Sequence, residues 1–389
     1  MAQHAIVFTI FLVFTGAAVV AALALYARQS LIVAYVLLGV LFGPSVLGLV
    51  SDPAVVSEIS HIGIIFLLFL LGLNLNPRDL LEKVPKATLV TLVSTLIFAS
   101  FGTLVALLFG LKLVDALIVG AATSFSSTIL GVKLLPTTVL HHQRTGEVII
   151  SILLFQDLIA IVLLLVLRGA GSEAVPAGAI ALLLIKLPLL VIFAGLFNRF
   201  VLIPLITRFD RIQEFVFLAA IGWCLGMAQL AASVGISAEI GAFIAGVSLA
   251  TRPVALYLSE SLKPLRDFFL ILFFFSLGAG FDLNLIGAVA LPALVLAAGT
   301  LVGKPPVFRW LLRRTGETDT RSREIGFRLG QLSEFSLLVA VVAMDAGACS
   351  DRASFIIQLA TLLSFMASSY WIALRFPSPI AIKDELRMD

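Results

Sequence analysis

The run Ser151-Ile-Leu-Leu-Phe-Gln-Asp-Leu-Ile-Ala160 places one carboxylate, Asp157, about ten residues from either end of an apolar segment. At the middle of a bilayer a charge costs at least ~2.5–3.5 kcal/mol on insertion scales, so an acid there reads by default as a functional group. Its neighbour Gln156 is polar but does not titrate. An acid in that position is neutralised by a proton or by a cation, and the two compete. Competition at one site suffices for exchange if the site faces the two sides of a membrane in turn. The same carboxylate has a bland reading, as a structural acid that caps a helix or pairs with a lysine.

A cation also needs oxygen ligands. Thr123-Ser-Phe-Ser-Ser-Thr128 sets the hydroxyls of Thr123, Ser124, Ser126, Ser127 and Thr128 at comparable depth in another apolar segment. Any single hydroxyl can instead bond the preceding helical turn, but the cluster is expected to complete a cation shell with Gln156. Lys304, followed by Pro305-Pro306, lies some eight residues from the basic end of its segment. It is expected to balance charge, either at opposed helix ends or at a carboxylate, with snorkelling of its long stem as the alternative. Glu334 lies as deep as Asp157, and both a charge-balancing role and a buried structural ion pair remain open for it. Arg328 is a weaker partner for Glu334 than Lys304. Glu239 reads as a scaffold or interface group, and Asn74 and Asn76 as turn residues before Pro77. His4, His61, His141 and His142 fall near segment ends, the last two as a solvated pair.

The elements that position these groups follow from composition. With 60% hydrophobic residues, 13% charged residues and a mean hydropathy of +1.13, this is an all-α polytopic membrane protein. Two cysteines, Cys224 and Cys349, cannot form a disulfide framework, and no His/Cys metal cluster is spaced for one. No glycine-rich nucleotide fingerprint is present, so no cofactor is expected within the chain. The first apolar run, Ala5 to Tyr26, lacks a basic leader region and is expected to be retained as a helix.

Thirteen apolar segments are expected, near 5–27, 30–50, 54–75, 86–110, 113–135, 146–168, 175–198, 213–234, 236–256, 265–281, 285–312, 322–347 and 353–375. Residues 1–375 form the transmembrane part and 376–389 a polar cytoplasmic tail. Alternate connections divide the 26 Lys and Arg unevenly: twenty fall on one set of faces, and only Lys112, Arg168 and Arg352 on the other. Lys186, Lys304 and Arg328 fall within segments. The bias places the N-terminus outside and the C-terminus in the cytoplasm of the cell inner membrane. The fifth segment, at Thr123–Thr128, and the twelfth, at Gly330-Gln-Leu-Ser-Glu-Phe335, look broken. Discontinuous helices in corresponding positions of two halves point to a transporter binding site. Segments 4–6 and 11–13 are therefore expected to be inverted repeats whose broken helices cross.

Several of these motifs together resemble the membrane domain of the Kef-type potassium–proton antiporters, in the second monovalent cation–proton antiporter family. They are Leu154-Phe-Gln-Asp-Leu158, Gly241-Ala-Phe-Ile-Ala-Gly246, Phe273-Phe-Phe-Ser-Leu-Gly278 with Asp282, Gln331-Leu-Ser-Glu-Phe335, Ser126-Ser-Thr128 and Lys304. The resemblance implies a core domain beside a dimerisation domain, elevator-type alternation and a homodimer. Relatives with an aspartate where Gln156 stands are associated with sodium and electrogenic exchange, so Gln156 implies the Kef-like branch with one cation per proton. Kef systems carry a cytoplasmic nucleotide-binding regulatory domain after the last helix, and none follows here; a separate regulatory domain or subunit is a possible partner. The family's Glu-Leu-Asp after the third helix reads Asn74-Leu-Asn76. The expected activity is secondary active exchange of K+ for H+ at Asp157, with Na+/H+ exchange as the alternative and a cation channel as a different class. A sodium-coupled anion symporter fits less well, for want of a second core acid. The partners are K+ or Na+, H+ and membrane lipid; no nucleic acid and no enzymatic chemistry are expected.

Overall fold

A computed structural model describes residues 2–27, 29–50, 53–74, 85–128, 144–170, 177–209, 211–250 and 254–376. Regular structure among them is helical, as expected where lipid offers the backbone no hydrogen bonds. In chain order the helices are α1 (Ala2–Tyr26), α2 (Leu31–Phe42), α3 (Pro53–Asn74), α4 (Pro85–Leu108), α5 (Leu113–Ser124) and α6 (Arg144–Ala170). There follow α7 (Ala177–Phe197), running through one π-turn at Asn198–Leu202 into α8 (Ile203–Arg208), then α9 (Gln213–Ser233), α10 (Ala238–Ala250), α11 (Val254–Ser261) and α12 (Lys263–Ala279). The last four are α13 (Ile286–Arg314), α14 (Asp319–Arg328), α15 (Glu334–Asp345) and α16 (Asp351–Arg375).

Seven helices among the described residues are long and apolar enough to cross a membrane, and α2, α5 and α10 are shorter apolar helices. The chain is a multi-pass membrane protein. Parts of several expected segments, such as 129–135, lie outside the described residues, as do Asn76, His141, His142 and the tail beyond residue 376. Of the ninth expected segment, 236–256, α10 and the start of α11 are described, and residues 251–253 lie outside the described residues.

The chain forms two compact units. The first comprises residues 1–19, 35–82 and 173–280. Its helices meet through glycine. Gly72 on α3 and Gly246 on α10 face each other so closely that an added Cβ would lie 2.4 Å from the Phe243 carbonyl oxygen and 2.1 Å from that of Phe69. Small residues at such crossings let backbones touch where lipid removes the hydrophobic drive. The Gly241–Gly246 motif is thus explained by packing, and Gly278 of the other glycine-containing motif does the same against Val36 of α2.

The second unit comprises residues 20–34, 83–172 and 281–389. It traces one path twice, at a constant offset of 206 residues. Gly110 (φ +76°) turns α4 into α5, and Gly316 (φ +96°) turns α13 into α14. The Leu111 N–H closes the first turn on the Ala106 carbonyl at 3.1 Å, and the Glu317 N–H closes the second on Leu312 at 3.0 Å. On α5, Gly120 would place a Cβ 2.3 Å from the Ala99 carbonyl oxygen; on α14, Gly326 would place one 2.6 Å from that of Pro305. Each of these pairs is related by the same offset. The repeat expected from segments 4–6 and 11–13 therefore appears in backbone contacts.

Both first half-helices stop within two residues of equivalent positions. α5 ends at Ser124, and Phe125 is extended (φ −80°, ψ 150°). α14 ends at Arg328, and the chain is non-helical until Ser333 caps α15. There the Ser333 hydroxyl accepts from the Phe335 N–H at 3.1 Å, while the Ser336 hydroxyl accepts from the Ser333 N–H at 3.2 Å. The twelfth expected segment is thus two helices joined by an extended link.

Gly120→Ala and Gly326→Ala should each destabilise the protein by roughly 1–3 kcal/mol through overpacking, seen as a lower melting temperature in detergent. Gly222→Ala, facing open space, should leave it unchanged or slightly raised. Equal melting of all three would contradict the packing assigned to the repeat.

Candidate functional site

Everything expected to do chemistry lies in the second unit, around the two breaks. Lys304 projects from α13 and is fully buried. Its ammonium donates to the Phe125 carbonyl at 2.5 Å, to the Gln331 carbonyl at 3.1 Å and to the Ser126 hydroxyl at 3.3 Å. Phe125 and Gln331 are equivalent at the 206-residue offset, and each follows the C-terminal end of a half-helix. Carbonyls there lack intrahelical partners and carry the negative end of the helix dipole. One cation thus serves two ends. The equivalent of Lys304 in the first repeat is Phe98, whose ring centroid lies 5.5 Å from the ammonium, a favourable cation–π placement.

The two breaks are also joined directly. The Ser126 hydroxyl donates to the Leu329 carbonyl at 2.9 Å, and the Ser336 hydroxyl to the Ala122 carbonyl at 2.6 Å. Each break is then held from the helix that follows it. Gln156 on α6 accepts from the Ser126 N–H at 3.0 Å and donates to the Ser124 carbonyl at 3.3 Å. Ser364 on α16 accepts from the Leu332 N–H at 3.1 Å. Ser126 and Leu332 are again equivalent at the same offset. Gln331 is fixed at both ends of its amide, donating to Arg328 at 2.9 Å and accepting from Ser368 at 3.1 Å.

Asp157, the next residue on α6, is 2% exposed. Thr128 approaches it, with the hydroxyl 3.5 Å from Oδ1 and 3.4 Å from Oδ2. Glu334, the first residue of α15 and also buried, lies within its electrostatic reach. Among the described residues no basic side chain forms an ion pair with Asp157. Lys304 is committed to oxygens of the breaks. Arg328 pairs with Glu324 at 2.9 Å, within its own helix.

The structure therefore separates the hydroxyl run. Thr128 reaches Asp157, and Ser126 sits between the breaks. Thr123 and Ser124 turn back onto their own helix, donating to the Val119 carbonyl at 2.6 Å and the Ala121 carbonyl at 2.7 Å. Ser127 is buried in the break. Gln156 lends both its amide atoms to backbone rather than leaving them turned toward a cavity. Sequence reasoning did not single out Phe98, Ser336, Ser364 or Ser368; the constant offset relates the backbone groups that Gln156 and Ser364 hold, Ser126 and Leu332. Among the described residues no group of His, Cys, Asp and Glu is arranged to hold a metal ion. Asp157 thus lies beside two helix breaks that are hydrogen-bonded to each other, with the Thr128 hydroxyl at its carboxylate.

Comparison with known proteins agrees with that geometry. A family model described as sodium/hydrogen exchanger, transmembrane, matches residues 9–374. The chain is 29% identical to the iron transporter MagA of Paramagnetospirillum magneticum, over 89% of this chain and 80% of that protein. It is 28% identical to the glutathione-regulated potassium-efflux system protein KefC of Salmonella schwarzengrund, over 93% of this chain, and 29% identical to K(+) efflux antiporter 5 of Arabidopsis thaliana, over 87%. The matches span 59% and 61% of those two potassium proteins. The sodium proton antiporter MjNhaP1 of Methanocaldococcus jannaschii has the same fold, with a TM-score of 0.69 over 95% of this chain and 96% of that one at 18% identity. With its family model matched nearly end to end, the chain belongs to the transmembrane sodium/hydrogen exchanger family.

Proposed function

We propose that this protein exchanges K+ for H+, with Asp157 as the group that the two ions occupy in turn. The observation that carries the reading is the buried carboxylate without an ion-pair partner among the described residues, next to a lysine whose charge is committed elsewhere. A buried unpaired carboxylate is too costly to persist as a bare anion. It takes a proton or a cation, and each excludes the other. Thr128 supplies one neutral oxygen toward the cation, and the carbonyls freed at the break are the natural source of others.

Lys304 keeps the breaks together in both loading states, because its partners are backbone oxygens rather than the exchanging acid. Gln156 fixes the backbone beside Asp157 and adds no charge. One acid then implies one cation for one proton, and exchange without net charge movement. Glu334, near Asp157, balances charge around α15. Potassium is favoured over sodium by the names of two relatives at 28–29% identity, the potassium-efflux protein KefC and K(+) efflux antiporter 5, beside MagA, which is named an iron transporter. Access alternates by elevator-type movement in a homodimer, with the N-terminus outside and the C-terminus in the cytoplasm.

Purified protein in liposomes with a potassium gradient and an internal pH dye tests this directly. Wild type should move protons against potassium, and Asp157→Asn should lose both fluxes; retained coupling in the variant would remove Asp157 from the mechanism. Sodium-only coupling would transfer the assignment to Na+/H+ exchange, and potassium leak without proton movement would indicate a channel. Lys304→Ala strips a donor from two buried carbonyls and should cost roughly 2–5 kcal/mol, read as a large fall in melting temperature. Unchanged melting would show that the lysine ties nothing. Gln156→Asp keeps an acceptor for the Ser126 N–H, loses the donor to Ser124 and adds an acid. Transport should then respond to membrane voltage, whereas voltage-independent exchange would contradict the one-acid, one-charge argument.

A further inference from the structure

Three cations fall within apolar segments: Lys186, Lys304 and Arg328. Lys304 has three oxygen partners and Arg328 has Glu324. Lys186, on α7, makes one hydrogen bond, to the Val234 carbonyl at 2.7 Å. Among the described residues it forms no ion pair. That bond caps the C-terminal end of α9, where a cation is favoured, and among the described residues no other hydrogen-bond partner of the ammonium is found.

The Lys186 side chain lines an almost wholly apolar cavity of about 330 Å3, together with Leu189, Leu190, Phe193, Leu230 and Val234. The lining has a direction. α9 is 21 residues long, about 32 Å and enough to span the hydrocarbon core. Val234 lies just past its end, so the ammonium sits level with the C-terminal end of α9. Leu230 is one turn back along α9, and Leu189, Leu190 and Phe193 lie one to two turns further along α7. All four are on the same side of the charge. Leu189 is 63% exposed and Phe193 43%, so the groove is open on the surface of the chain. A single cation beside an apolar trough matches the charge and shape of an anionic headgroup joined to an acyl chain.

We infer that this groove between α7 and α9 is a binding site for one anionic phospholipid. Its phosphate accepts from the Lys186 ammonium, and an acyl chain lies along Leu190, Phe193 and Leu230. The full chain in neutral detergent tests this by native mass spectrometry and thermal melting, with phosphatidylglycerol compared with phosphatidylcholine of the same chains. Phosphatidylglycerol should remain as a single adduct and raise the melting temperature by several degrees, and phosphatidylcholine should do neither. Lys186→Gln should lose the adduct. Leu230→Trp, which fills the trough and keeps the bond from Lys186 to Val234, should lose it too, and so keeps the test open if Lys186→Gln unfolds. Equal stabilisation by phosphatidylcholine, an adduct that survives both variants, or retention of free oleate in place of phosphatidylglycerol would overturn the assignment.

Discussion

The second unit depends on one ammonium group. Two half-helices each end where the backbone must leave helical geometry, and both bring unpartnered carbonyls to the same buried place. Without a donor these carbonyls would cost several kcal/mol in a medium that contains no water. Lys304 supplies protons to Phe125 and Gln331 together, so the price of breaking two helices is met by one charged side chain. The other links are neutral and local: Ser126 to Leu329, Ser336 to Ala122, Gln156 to Ser126 and Ser124, Ser364 to Leu332. Each satisfies a backbone group that the break releases.

This division leaves charge where exchange needs it. Had Lys304 paired with Asp157, the acid would hold a permanent counter-ion and no reason to bind another. With the lysine facing carbonyls, the tie between the breaks does not involve Asp157. Two neighbouring positions on α6 thus have different surroundings, with Gln156 holding backbone and Asp157 facing Thr128, and the proposed exchange rests on the second. The first unit contributes no group to this chemistry as described. Its motifs, Gly241–Gly246 and the stretch ending at Gly278, are read by their close backbone approaches.

Asp157 was legible in the sequence because an acid deep in an apolar segment is rare enough to be noticed by position alone. The breaks were legible for the same reason, as runs of polar residues at membrane depth. The use made of each hydroxyl was not. A serine that bonds its own helix and one that bridges two breaks have the same composition signal, and only the path of the backbone distinguishes Ser124 from Ser126. Gln156 read as a cation ligand because its neighbour is an acid; the structure turns its amide onto a donor and an acceptor of the break. The repeat was visible only as a parallel order of segments. Its equivalent positions share backbone roles and not side chains, as Phe98 with Lys304, Phe125 with Gln331 and Ala99 with Pro305 make plain. Glycine survives at both members where the backbone itself is constrained, at Gly110 with Gly316 and Gly120 with Gly326.

The most direct test of the account is to count protons when the cation binds. Purified protein in weakly buffered detergent solution, held near the pH at which the acid is protonated, is titrated with potassium while released protons are measured with a dye. Competition at a single carboxylate predicts close to one proton released per potassium bound, and neither binding nor release in Asp157→Asn. Potassium binding without proton release, or release that persists in the variant, would contradict it.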